Sequence, residues 1–176
     1  MAISLNGNGT LTGITDYNNS DVGRILQIVQ VTKTDTVSQT CSGTTEYNVL
    51  NASITPASTS SKIMVILQMN SSVGGPFDSL GCVLKRGTTP LYRGDANGSA
   101  VRLSGLAPQP YHSKRCTEIN INYVDTPSTT SSITYNIVFF DGNGDGGSFY
   151  INRSGTYGSD VSNFTLPSSL TLLEIG

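Results

Sequence analysis

The sequence predicts an all-β protein: a jelly-roll-like antiparallel β-sandwich with a short extended N-terminal arm. Three observations predict it. Ser and Thr together supply 44 of the 176 residues, with 19 Gly and 14 Asn, so strand and turn formers dominate. No segment of about ten or more residues repeats its apolar positions at the roughly 3.6-residue period of a helix. Short apolar runs recur instead between clusters of Gly, Pro, Asn and Ser, the pattern of a sandwich or barrel, and their number fits a jelly roll.

Length implies one domain that buries roughly 70% of its unfolded surface. Only 12% of residues are charged, about half the usual share. Few charges are left to guard strand edges, so the edges must close or pair with copies of the chain. A homotrimer is the expected partner state. The net charge of −2 argues against nucleic acid, whose binders are basic. No apolar run approaches the ~20 residues that span a bilayer, and no membrane partner is expected. The N-terminus lacks the basic and apolar regions of a secretory signal, so Cys41, Cys82 and Cys116 are expected as reduced thiols.

Taken in order, residues 1–22 form the arm and 23–176 the sandwich. In the arm, Ile3, Leu5, Leu11 and Ile14 are separated by Gly and Asn. They are too sparse for a core and are candidate anchoring contacts; the Asn-Gly dipeptides also permit a short hairpin. Gly23–Lys33 is the first strong strand, and Thr34–Glu46 is a loop or weak edge strand. Tyr47–Thr55 runs to a turn at Pro56, which cannot donate to a ladder. The hydroxyls of Ser58–Ser61 compete with regular structure there.

Lys62–Met69 is the longest apolar run, and eight residues at strand rise reach roughly 26 Å. Ile63, Val65, Leu67 and Met69 share one face; Met64 and Ile66 share the other. Both faces are apolar, so a central strand covered on both sides is expected. Ser71–Asp78 is a loop and Leu80–Arg86 a strand. Short strands at 90–93 and 100–103 interrupt a stretch broken by Gly and Pro. Arg115–Val124 alternates as a half-buried strand, and Ile133–Phe140 is apolar on both faces. Gly142–Gly147 and Gly155–Asp160 are loops around a strand at Ser148–Asn152. Ser169–Ile175 closes the chain.

Several stretches, in order, resemble a module of phage virion proteins. They are Gly23-Arg-Ile-Leu-Gln-Ile-Val29, Ser53-Ile-Thr-Pro56 with Ser61-Lys-Ile63, Leu84-Lys-Arg-Gly-Thr88, Tyr123-Val-Asp-Thr-Pro127 leading to Thr134-Tyr135, and Ser169-Leu-Thr-Leu-Leu-Glu-Ile175. The module is similar to those of marine, often cyanobacterial, phages whose proteins are labelled tail fibre or virion structural protein. The resemblance implies a virion component assembled in the host cytoplasm. It would act by binding, with other virion proteins and a host cell-surface glycan or protein as partners. A capsid decoration protein is the alternative expectation and a polysaccharide depolymerase the third.

No enzyme activity, cofactor or metal is expected. Gly142-Asn-Gly-Asp-Gly-Gly147 fits a dinucleotide fingerprint by spelling, but strand chemistry follows where a helix must open. Asp141, Asn143 and Asp145 begin a calcium-loop pattern, yet Asn152 stands where its bidentate Glu belongs. His112 with the three cysteines lacks the close pairs of a structural zinc site. His112 beside Ser113 has no nucleophile elbow. Carboxylate pairs such as Asp141 with Asp145, or Asp95 with Glu118, match a glycosidic pair only by opportunity. The most distinctive loop is Gly105–Cys116. Pro108 and Pro110 stiffen it, lowering the ordering cost of binding. Tyr111, His112, Lys114 and Arg115 are residue types that recognition surfaces use, which makes these six a candidate partner-contact loop.

Overall fold

The computed structural model describes residues 4–5, 11–12, 23–74, 80–107, 115–142, 144, 146–156, 158–159, 161 and 163–176. β1 (Ser4–Leu5) and β2 (Leu11–Thr12) form an antiparallel pair with Leu5 opposite Leu11. That pair is a separate two-stranded sheet. Ile3 and Ile14 lie outside the described residues.

One large sheet contains β3 (Ile25–Lys33), β4 (Val37–Thr40), β6 (Lys62–Gly74), β10 (Thr117–Asp125), β12 (Ser148–Ile151) and β13 (Ser168–Ile175). The other contains β5 (Tyr47–Ile54), β7 (Leu80–Arg86), β8 (Thr89–Leu91), β9 (Gly105–Leu106) and β11 (Ile133–Asp141). All pairings are antiparallel, and no helix occurs among the described residues.

Register reduces these eleven strands to eight positions. β13 pairs with β6 over 62–68 and β12 over 71–74, along one edge, while β10 takes the opposite edge over 63–71. β3 and β4 flank β13 and β12 in the same order. The first sheet is therefore β3/β4, β13/β12, β6, β10. In the second, β8 and β9 share the free edge of β7, giving β5, β11, β7, β8/β9. The chain changes sheet at nearly every connection, and its first and last positions are neighbours. This is the double Greek key of a jelly roll.

The core lies between the sheets. Ile63, Val65, Leu67 and Met69 of β6 point inward with almost no exposure, against Tyr135, Ile137 and Phe139 of β11. Phe139 packs on Phe149 with ring centroids 5.1 Å apart. β6 runs five residues beyond the apolar stretch to Gly74, because Ser71, Ser72 and Val73 find ladder partners in β12.

Three expectations change. The second face of β6 is not fully covered by the described residues: Met64 and Ile66 stay half-exposed on the outside of the sheet. The short strands expected at 90–93 and 100–103 lie at Thr89–Leu91 and Gly105–Leu106. Gly87, at φ +57°, turns the chain tightly enough for Thr89 to pair with Arg86. At Gly105 the backbone comes so close to Ile119 that a Cβ would meet Cγ2 at 2.4 Å, so the second strand forms where only glycine fits. Of the loop expected at Ser71–Asp78, residues 71–74 belong to β6, whereas β4 is the weak edge strand that Thr34–Glu46 allowed, its Val37 beside Ile151.

The two ends of the sandwich differ. At the root end meet Gly23, where the arm joins, Gly176, and the turns at 55–61 and 126–132; the Gly23 N–H donates to Gly176 O. At the far end lie the loops 41–46 and 142–147, tied by the Cys41 N–H donating to Gly147 O at 2.6 Å. Ala107 and Arg115, which flank residues 108–114, are also at the far end: Ala107 N–H donates to Leu80 O, and Thr117 pairs with Ser71.

Candidate interaction surfaces

At the root end the usual distribution of polar and apolar residues is inverted. One cross-strand row on the inner face of the first sheet reads Gln27, Glu174, Ile63, Asp125. The adjacent row on the outer face reads Ile28, Leu173, Met64, Val124. Each inner polar residue thus has an apolar sequence neighbour facing solvent, because successive side chains along a strand alternate faces.

The inner row stays because its polar groups are satisfied. Glu174 has no solvent exposure. Its Oε1 accepts the Ala57 N–H at 2.7 Å and its Oε2 accepts from Gln27 Nε2 at 2.5 Å; Gln27 Nε2 also donates to Thr55 O. Burial alone raises a carboxyl pKa, but hydrogen bonds from Gln27 and from the backbone at 57–58 outweigh it. The carboxyl is held below its usual range. One carboxylate so ties β3, the Pro56 turn and the last strand.

Across Ile63 lies a second buried cluster. Arg86 Nη1 donates to both carboxylate oxygens of Asp125, at 3.0 and 2.8 Å. The Tyr135 hydroxyl donates to Oδ2 at 2.7 Å and the Thr126 N–H to Oδ1 at 2.9 Å. Asp125 is only 5% exposed. Burial pushes the Tyr135 hydroxyl far above its usual pKa, and its bond to Asp125 pushes it further. Gln27, Glu174, Arg86, Asp125 and Tyr135 thus do structural work at one end of the fold.

The outer face beside them is uncharged over three rows. After Ile28, Leu173, Met64 and Val124 come Gln30, Thr171, Ile66 and Asn122, then Thr32, Ser169, Gln68 and Asn120. Ile28 is 62% exposed and Val124 47%. Beyond the apolar row, a hollow of about 320 Å³ is lined by Gly23, Ser60, Lys62, Ile175 and Gly176. The outside of the second sheet is different in kind. There Ser53 bonds Thr134, Asn48 bonds Asn136, and Lys85 pairs with Glu46. Those polar side chains satisfy one another; the apolar row of the first sheet has no such partner.

A third cluster holds the break between β12 and β13. Asn152, buried at φ +63°, donates from Nδ2 to Lys33 O at 2.7 Å and Asp35 O at 3.0 Å. Its Oδ1 accepts from the Ser168 hydroxyl. The position that fails the calcium pattern is thus a structural asparagine. Its short polar side chain suits the left-handed conformation. Asp141, at the other end of that pattern, is 1% exposed and accepts the Gly146 N–H at 3.1 Å. Asn143 and Asp145 lie outside the described residues.

Of the candidate contact loop, Pro108, Pro110, Tyr111, His112 and Lys114 also lie outside the described residues, and Arg115 is exposed at the far end. Leu5 and Leu11 of the arm are register partners in the β1–β2 pair. Cys41, Cys82 and Cys116 are free thiols. Burial pushes the Cys82 pKa up to about 12, which leaves it inert. Among the described residues no group of three or more His, Cys, Asp or Glu side chains is placed to hold a metal ion. Asp95 and Glu118 are both exposed. What sequence reasoning missed is the inverted pair of rows. The signal was present in three dipeptides, Gln27-Ile28, Val124-Asp125 and Leu173-Glu174, but only register aligns them.

No known protein family's profile matches the chain, and no curated protein matches it in sequence.

Proposed function

We propose that the chain is a structural protein of a bacteriophage virion, a tail-fibre or host-contact component that works as a homotrimer by binding. The observation that carries this reading is the division of labour between the ends of the sandwich. The stretches that resemble phage virion modules converge on the root end, where the arm joins. The stems of the Pro-stiffened loop, Ala107 and Arg115, stand at the opposite end. A host-contact protein needs this polarity: a constant end for attachment and a projecting end for recognition.

Quantitative mass spectrometry of purified phage particles that encode this chain tests the reading. Tens of copies per particle support a tail position. Hundreds move the chain to the capsid shell as a decoration protein, and its absence from particles removes the virion reading. A second arm of the test uses the loop. Tyr111→Ala with Arg115→Ala removes the aromatic and arginine side chains that dominate binding hot spots. Particles carrying both should assemble normally and lose adsorption. Adsorption at the wild-type level would refute host contact through this loop.

A further inference from the structure

We infer that the outer face of the β3/β13/β6/β10 sheet is the surface on which a second copy of this chain docks. The inference deepens the homo-oligomeric part of the proposed function and rests on it. Four features of the face argue for it.

The first is that the apolar row cannot retreat. Shifting a strand by one residue would turn Ile28, Leu173, Met64 and Val124 inward. It would also pull Gln27, Glu174 and Asp125 out of their buried hydrogen bonds. Register is therefore locked from the inside, and the outer row is left against water. Contiguous apolar surface of this kind marks an interaction site.

The second is charge. None of the twelve side chains in the three outer rows is charged. Copies of one face gathered around a three-fold axis bring like residues together at that axis. Any net charge would repel, whereas the amides and hydroxyls beyond the apolar row both donate and accept. An oppositely charged partner has nothing here to recognise; further copies of the same face around the axis do.

Contrast with the other sheet is the third feature. Its outer face carries the Lys85–Glu46 ion pair and polar cross-strand pairs, whereas the three rows of the first sheet carry no charge and set an apolar row beside one polar pair, Gln30 with Thr171.

Size is the fourth. Four strands by six residues cover about 400 Å² of sheet, near half of the ~800 Å² per partner of a standard interface. Association through this face is accordingly expected to depend on concentration in the micromolar range.

Sedimentation velocity of the full chain across the micromolar range tests this, with thermal melting as the control for folding. Wild type should move from one chain toward a closed oligomer as concentration rises. The double variant Ile28→Lys with Val124→Lys changes two exposed side chains and should remain a single chain with a melting temperature near wild type. Leu106→Lys, exposed on the other sheet, should associate like wild type. Should the lysine pair unfold the protein, Ile28→Thr with Val124→Thr keeps strand propensity and should still weaken association at least tenfold. A wild type that stays a single chain throughout overturns both the face and the homotrimer, while particle mass spectrometry judges the virion role separately. A double variant that associates as wild type does overturns the face alone. Loss of association in the Leu106 variant only would assign docking to the second sheet.

Discussion

Glu174 shows how much one side chain holds at the root end. Its carboxylate joins Gln27 of β3 to the turn after β5 from within the last strand. Glu174→Gln keeps the shape but replaces one acceptor oxygen with a donor, and should cost about 1–3 kcal/mol in chemical denaturation. The sign of the pH effect follows from its depressed pKa. A carboxyl held below its unfolded value stabilises the fold above that value, and the contribution is lost as pH falls through the folded one. Wild type should therefore lose melting temperature more steeply than the Gln variant as pH falls below the ordinary Glu value of 4.5. Asp125 is the stronger case, since removing it strands Arg86 and Tyr135 at a buried site. Asp125→Ala should cost about 3–5 kcal/mol, and Tyr135→Phe about 1 kcal/mol, both readable in urea titrations. An ultraviolet titration should show Tyr135 remaining neutral until the protein unfolds, because burial and Asp125 both oppose its ionisation.

Among the elements, β6 carries the sharpest test of face assignment. Leu67 is inward and buried; Met64 is outward and half-exposed. Leu67→Ala should cost about 2–5 kcal/mol, while Met64→Ala in dilute monomer should cost less than about 1 kcal/mol. Equal melting shifts would reverse the inner and outer faces. Strand positions were largely legible in the sequence. β5, β7, β10 and β13 fall within a residue or two of the apolar alternation that predicts them, because period-two patterning is a local property. The two halves of the broken edge, β8 and β9, were not. They are set by the Gly87 turn and the close approach of Gly105 to Ile119, which depend on partners distant in sequence. The fate of Met64 and Ile66 was misread for the same reason. An apolar residue says that it wants cover, and not whether its own chain or another supplies it.

At the scale of the whole molecule, the prolines of the candidate contact loop lie outside the described residues, and only its flanks, Ala107 and Arg115, are placed at the far end. The Gly-rich loop at 141–147 belongs to that end too. Asp141 there caps its own loop through Gly146, so chelator should leave the melting temperature unchanged; a rise with added calcium would by linkage establish a bound ion. The inverted rows escaped the sequence because they need the register of four strands drawn from the whole length of the domain. The pairing of β3 with β13, Ile25 opposite Ile175, also sets a timetable. During synthesis the first strand of the sandwich leaves the ribosome some 150 residues before its neighbour. At ~5–20 residues per second that is roughly 8–30 s, far longer than a hairpin needs to form. Until Glu174 emerges, the edge of β6 that receives β13 stands open to any passing strand. A nascent chain stopped before residue 168 should therefore be protease-sensitive and prone to aggregate. The eight residues of β13 work as a fastener: they convert a vulnerable polypeptide into a closed protein in a single late step.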